Sequence, residues 1–78
     1  MKLRFFGCLR DAVGAAEFER AVPQHVADSE AMRRWIGAEY PVLLDPSVRI
    51  AIDDVLASRA VPIDGASEAA FLPPVSGG

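Results

Sequence analysis

Cysteine and histidine are almost absent from this sequence. Its 78 residues include one cysteine, Cys8, and one histidine, His25. A single cysteine cannot form an internal disulfide, so no oxidising compartment is required and we expect a cytoplasmic protein. Neither side chain has a second ligand at metal-site spacing, so we expect no bound metal. A lone cysteine beside an apolar strand is usually a small core residue, and a nucleophile or persulfide carrier is the alternative.

Phosphate-binding loops, long apolar runs and an excess of basic charge are also missing. The sequence contains no Walker or Gly-x-Gly-x-x-Gly motif, so we expect no nucleotide or other cofactor to be bound by this chain. No apolar run approaches the roughly 20 residues of a membrane helix, and the first residues are strand-like rather than a signal peptide. The net charge of −3 argues against nucleic acid and favours a protein partner with a basic surface.

The apolar residues that are present follow a strand-rich pattern for a single small domain. Alternation and turn residues predict strands over residues 1–6, 17–22, 48–52, 56–58 and 69–72, and a helical turn over 9–13 that Gly14 closes. Asp28 predicts the start of a longer helix, which Pro41 should end. Met32, Trp35, Ile36 and Tyr40 fall on one face of this helix.

This order of elements predicts an α+β fold, in which the one main helix covers one face of a small mixed sheet. The other face would then be left to water or to a partner. Phe6 and Leu72 have the opposite phase to Leu3, Phe5 and Phe71, so we expect them on that uncovered face. They indicate either a docking patch or isolated exposed apolar residues without consequence.

The sequence closes on Pro73-Pro74-Val75-Ser76-Gly77-Gly78. The two prolines end a sheet ladder and favour an extended path, whose six residues reach roughly 20 Å. Glycine has no Cβ, so a partner protein could close tightly on the last two residues. We therefore expect a domain over residues 1–74 and a flexible tail over 75–78 whose terminal carboxylate is the reactive group. An ordinary frayed terminus is the alternative.

The element order and the stretch from Phe71 to Gly78 resemble a known family. They are similar to the ubiquitin-like β-grasp fold and to the C-terminal signature of the small, sulfur-carrying subunit of molybdopterin synthase. The opening strand, with Leu9-Arg10-Asp11-Ala12-Val13-Gly14 after it, resembles the family's first strand and turn. Ser29 stands where the family commonly has an apolar residue, which predicts looser packing at the start of the main helix.

The resemblance implies a mechanism. An activating enzyme related to the ubiquitin-activating class would use ATP and Mg²⁺ to adenylate the Gly78 carboxylate, and a persulfide donor would convert it to a thiocarboxylate. The tail would then enter the large subunit of molybdopterin synthase, which supplies the catalytic groups, and give its sulfur to cyclic pyranopterin monophosphate. The two subunits would form a hetero-oligomer. Gly77 would keep the tail slim, and Val75 and Ser76 would line the entry. Phe6, Leu56 and Leu72 would face the partner.

Other functions fit the same residues. A sulfur carrier of the thiamine pathway shares the fold and the two glycines, and a further carrier type serves tRNA thiolation or cysteine synthesis. A protein modifier would instead attach Gly78 to lysine side chains. A plain interaction domain, in which the glycines are incidental, is the last alternative.

Overall fold

The computed structural model describes residues 1–74 of the chain. The tail residues Val75, Ser76, Gly77 and Gly78, together with the tail boundary expected at residue 75, lie outside this range. In chain order the elements are β1 (Lys2–Phe5), α1 (Cys8–Val13), β2 (Glu17–Glu19), α2 (Ser29–Gly37), a 3₁₀ helix (Pro41–Leu44), β3 (Arg49–Ile52), β4 (Val55–Ala57) and β5 (Glu68–Leu72).

The five strands form one mixed sheet in the order β2-β1-β5-β3-β4. The two central strands, β1 and β5, are parallel, with Leu3 opposite Ala69 and Phe5 opposite Phe71. The other three pairings are antiparallel. Helix α2 lies on one face of this sheet, so the predicted two-layer α+β architecture is confirmed.

The core lies between α2 and the sheet, and the predicted strand phases place it there. Leu3 and Phe5 of β1 are buried together with Ile50, Ile52 and Phe71. Four aromatic rings meet in this layer. The Phe5 ring lies 5.3 Å from the Phe18 ring, 6.5 Å from the Tyr40 ring and 5.5 Å from the Phe71 ring, edge to face with the last. Tilted and edge-to-face rings at such distances add to the stabilisation that area burial gives.

Helix α2 begins as predicted but ends earlier. The Asp28 carboxylate accepts a hydrogen bond of 2.8 Å from the Ala31 backbone N–H, and so caps the first turn. The helix ends at Gly37 rather than next to Pro41, because Pro41 instead opens the 3₁₀ helix that folds back over α2. A Cβ at Gly37 would collide with the Leu44 side chain, which would have to shift to make room for it.

The expectation of loose packing at Ser29 is wrong. Ser29 is buried, its backbone N–H donates to the Val61 carbonyl at 2.9 Å, and its Oγ accepts from the Val61 N–H at 3.0 Å. The hydroxyl therefore closes a two-bond link between the start of α2 and the segment that precedes β5. An apolar side chain at this position could not form the second bond.

Two other expectations need correction. Strand β2 is three residues long rather than six, because only Glu17, Phe18 and Glu19 pair with β1. Cys8 is exposed at the start of α1, so it is not a core residue. Cys8 comes three residues after the end of β1, where the chain has already left the sheet.

Candidate functional site

The sheet face opposite α2 carries the candidate site, and we call it the open face. Strand registers identify its members, since directly paired residues have their side chains on the same face. Ala51 pairs with Ala70 on one side and with Leu56 on the other, and Arg49 pairs with Leu72. The remaining positions of the open face on β1, β2 and β5 are Lys2, Arg4, Glu17, Glu19 and Glu68.

The apolar part of the open face runs diagonally across three strands and ends beside β1. This apolar strip consists of Leu56, Ala51, Ala70, Leu72 and Phe6. Leu56 is 49% exposed, whereas Leu72 and Phe6 are half-buried and the two alanines are buried. Phe6 lies one residue beyond the Phe5–Phe71 pair and so comes level with Leu72. The strip therefore offers large side chains at its two ends and a shallow centre of alanines.

Charged side chains border the strip. The Arg4 guanidinium lies 5.0 Å from the centre of the Phe6 ring, and its Nη1 is 3.4 Å from a Glu68 carboxylate oxygen. The Lys2 ammonium lies 3.4 Å from Glu17. Exposed ion pairs of this kind contribute only about 0–1 kcal/mol to stability. Their effect on the open face is therefore to shape its charge rather than to hold the fold together.

The sheet also positions Pro73 and Pro74, which follow the last strand. The Phe6 N–H donates to the Phe71 carbonyl at 3.1 Å, which extends the pairing of β1 and β5 by one residue. Gly7 follows with a φ of 56°, and a Cβ there would lie 2.9 Å from Cγ of Pro73. Pro73 is half-buried against this turn and Pro74 is exposed. The chain thus leaves β5 through Pro73 at the end of the apolar strip that Phe6 and Leu72 form.

The carboxyl groups whose pKa departs clearly from its ordinary value lie outside the open face. The hydrogen bond from Arg20 lowers the pKa of the Glu39 carboxyl, and hydrogen bonds from Ser47 lower the pKa of Asp45. Within residues 1–74 no three histidine, cysteine or acidic side chains are grouped so as to hold a metal ion. In the same range no helix is long and apolar enough to span a membrane. The open face therefore offers an apolar surface to which another protein could bind.

The structure brings together part of what the sequence predicted. Phe6 and Leu72 are neighbours on the open face, whereas Leu56 lies two strands away and joins them only through Ala51 and Ala70. Sequence reasoning missed these two alanines because a small residue gives no signal of its own. Their alternation with buried neighbours in β3 and β5 was the signal that could have found them.

Comparison with known proteins adds the family and confirms the fold. The sequence profile of the ThiS family matches residues 3–78. No curated protein matches the chain in sequence. Among solved structures it is similar to SAMP1, a small archaeal modifier protein, from Haloferax volcanii, with 18% identity, a TM-score of 0.75, and 99% of this chain and 97% of that chain covered.

Two further structures give the same result. SAMP1 from Methanosarcina acetivorans has 23% identity and a TM-score of 0.67 over 99% of this chain and 94% of that chain. A candidate molybdopterin converting factor, subunit 1, from Pyrococcus furiosus has 20% identity and a TM-score of 0.67, with 95% of each chain covered. These likenesses show the ubiquitin-like β-grasp fold. Because the family profile spans nearly the whole chain, the protein belongs to the ThiS family of ubiquitin-like sulfur carriers.

Proposed function

We propose that this protein is a sulfur carrier and acts as the small subunit of molybdopterin synthase, with the Gly78 carboxylate as its reactive group. The observation that carries the proposal is the family match over residues 3–78, which includes Gly77 and Gly78. The pathway is suggested by the printed name of the Pyrococcus furiosus protein, a candidate molybdopterin converting factor with the same fold.

The chemistry assigned to the tail is acyl activation followed by sulfur transfer. A carboxylate is a poor electrophile, so an oxygen of Gly78 first attacks the α-phosphorus of ATP on an activating enzyme, and pyrophosphate leaves. Sulfide that attacks the acyl carbon of the adenylate gives the thiocarboxylate directly, and AMP leaves. When the outer sulfur of a persulfide attacks instead, AMP leaves from an acyl disulfide, and a thiol of the activating enzyme then cleaves the S–S bond, releasing the thiocarboxylate and forming a disulfide with the donor sulfur. The thiocarboxylate passes its sulfur to cyclic pyranopterin monophosphate in the large subunit. Sulfur enters the sequence of reactions from a persulfide donor.

This chain contributes a docking surface and an unhindered acyl group to these steps. Phe6, Leu56 and Leu72 would contact the large subunit and the activating enzyme through the apolar strip, next to the point where the tail leaves. Pro73 packs against Gly7 and would direct Val75 and Ser76 toward the entry of the partner's site. Acid–base groups for the transfer would come from the large subunit.

A second candidate function is protein modification. The likeness to two proteins named as small archaeal modifiers favours it, because a modifier has the same fold and the same activation step. The two functions separate after adenylation, since a modifier forms an amide with a lysine amine where a carrier accepts sulfur. Lysine-linked adducts of this chain in cells would therefore favour modification.

The test is intact mass spectrometry of the full chain after incubation with MgATP, a candidate activating enzyme and sulfide. We expect a mass gain equal to the replacement of one oxygen by sulfur, mapped to Gly78. A chain that lacks Gly77 and Gly78 is the control and should gain nothing. If neither adenylation nor the gain occurs in the full chain, the carrier proposal is wrong.

The variant Gly78→Ala tests the steric part of the argument. Its added methyl is on the carbon next to the reacting carbonyl, six residues beyond the end of β5 in sequence, so we expect ordinary thermal stability and slow activation. The measurement is the rate of pyrophosphate release by the activating enzyme. A rate equal to that of the unmodified sequence would show that the absence of a Cβ at Gly78 is unimportant.

A further inference from the structure

A second feature of the molecule is a cavity of about 260 Å³ on the side of the sheet that α2 covers. It lies between the first turn of α2, the residues that enter β3 and the residues that leave β4. Its charged lining consists of Arg33, Arg49, Arg59 and Glu30, a formal charge of +2 from three arginines and one glutamate. The chain as a whole carries −3, so this cavity is a basic site on an acidic protein.

Arg33 is held in one orientation at this cavity. Its Nε donates to a Glu30 carboxylate oxygen at 3.1 Å, and its Nη1 donates to the carbonyl oxygens of Leu43 and Asp45, both at 3.1 Å. The side chain is only 16% exposed. These bonds occupy the hydrogens of Nε and Nη1 and leave the two hydrogens of Nη2. Among residues 1–74 no buried side-chain nitrogen lacks a partner, so Nη2 reaches accessible space.

Arg59 adds exposed positive charge beside this fixed donor, and Arg49 lies at the rim of the cavity. Both are exposed, and the ion pairs of the described residues include neither of them. Arg49 also lies opposite Leu72 on the open face, so the rim of the cavity meets that face. Arginine binds phosphate through two parallel N–H donors, and a guanidinium that is already oriented loses little freedom on binding.

The size of the cavity limits what it can hold. Pockets that enclose a drug-sized ligand measure about 300–1,000 Å³, and this cavity is smaller. An entire nucleotide would therefore extend outside it, whereas a single phosphate group would not. Arg59 is exposed and lines the cavity, so it could close on the oxygens of a phosphate that Arg33 already holds.

We propose that this cavity binds a phosphate group, with Arg33 as the fixed donor and with Arg59 as its closing residue. The site is separate from the Gly78 chemistry and does not depend on it. The phosphate could be the free ion or the terminal group of a nucleotide, and the arginines would bind the same phosphate oxygens in both.

The test is a ¹⁵N NMR titration of the full chain with inorganic phosphate, with the ionic strength held constant by sodium chloride. We expect saturable shifts of the Glu30, Val48 and Ser58 amides. Loss of one charge-assisted bond should make Arg59→Gln bind about tenfold more weakly. Arg34→Gln is the matched control, because Arg34 is exposed on the same helix but does not line the cavity. It should bind as the unmodified chain does.

Separate titrations with ADP distinguish the two sources. Equal affinities for ADP and phosphate would show that the phosphate group alone is recognised, and tighter binding of ADP would identify a nucleotide phosphate as the ligand. Shifts that fail to saturate, or an equal loss of binding in Arg34→Gln and Arg59→Gln, would show general attraction to positive charge and overturn the proposal.

Discussion

Phe71 and Leu72 are neighbours in β5, yet their side chains lie on opposite faces of the sheet. Phe71 is fully buried between Phe5 and Ile50 on the covered face, whereas Leu72 is half-buried on the open face beside Arg49. One strand thus contributes to the core with one side and to a candidate interface with the other. Apolar residues that are adjacent in sequence can therefore have unrelated roles in this fold.

The two faces also differ in the interactions that their side chains make. The covered face is a continuous apolar cluster that includes Leu3, Phe5 and Phe71, and burial of such side chains contributes roughly 1.5–3 kcal/mol each. The open face has alanines at its centre and surface ion pairs around them. Stability should therefore depend on substitutions of the covered face, and binding on substitutions of the open face.

Phe71→Ala tests the covered face and should have the largest effect. It removes a ring that packs edge to face on Phe5 and leaves a cavity in a core of few residues, so we expect a loss of about 3–5 kcal/mol in the free energy of unfolding. Urea denaturation followed by circular dichroism measures it. Leu72→Ala is the matched control and should lose much less. Equal losses would mean that the two faces do not differ in this way.

Leu72→Asp tests the open face. A carboxylate in the apolar strip should weaken binding to the activating enzyme at least tenfold, by desolvation of the charge at the interface, while the domain stays folded. Binding is measured by calorimetry and folding by circular dichroism. Val42→Asp, at another exposed apolar position outside the open face, should leave binding unchanged. An unfolded Leu72→Asp variant would place Leu72 in the core and contradict the strand phase.

Much of the difference between the two faces could be predicted from the sequence. Strand phases and the cap at Asp28 are local patterns, and the structure confirms them. The placing of Phe6 and Leu72 on the uncovered face followed from alternation alone. This part of the candidate site was therefore accessible without any long-range information.

The remaining features depend on contacts between distant parts of the chain. Nothing in the sequence near Arg33 indicates that its side chain bonds to carbonyls ten and twelve residues further on. The end of α2 at Gly37 follows from the return of Leu44 over the helix. Ser29 was misjudged for the same reason, since its partner Val61 is 32 residues away.

Ser29→Ala tests the link that holds α2 to the segment before β5. Removal of the hydroxyl leaves the Val61 N–H without its acceptor in a partly buried site, which should cost about 1–3 kcal/mol of unfolding free energy. Ser47→Ala is the control, because Ser47 is exposed and bonds only within its own turn. Chemical denaturation compares the two. An unchanged stability of Ser29→Ala would show that a water molecule replaces the hydroxyl.

Glu39→Gln should have the smallest effect. It tests whether an exposed ion pair contributes more to stability on the covered side of the sheet than on the open face. Arg20, which also lies 4.8 Å from the centre of the Phe18 ring, donates to Glu39 at 2.7 Å. This hydrogen bond lowers the pKa of the Glu39 carboxyl in the folded state. Its stabilisation is therefore present above the ordinary carboxyl pKa and is lost as the pH falls through the lowered one.

Thermal unfolding between pH 7 and pH 3 measures this effect. We expect Glu39→Gln to be slightly less stable than the unmodified chain at pH 7, with the difference fading as the pH approaches 3. Glu17→Gln is the open-face counterpart, because Glu17 is paired with Lys2 at the longer distance of 3.4 Å. It should change stability less at pH 7, since exposed pairs with long separations contribute little. A larger effect of Glu17→Gln would mean that the charges around the apolar strip also hold the sheet together, and the division of roles between the faces would be incomplete.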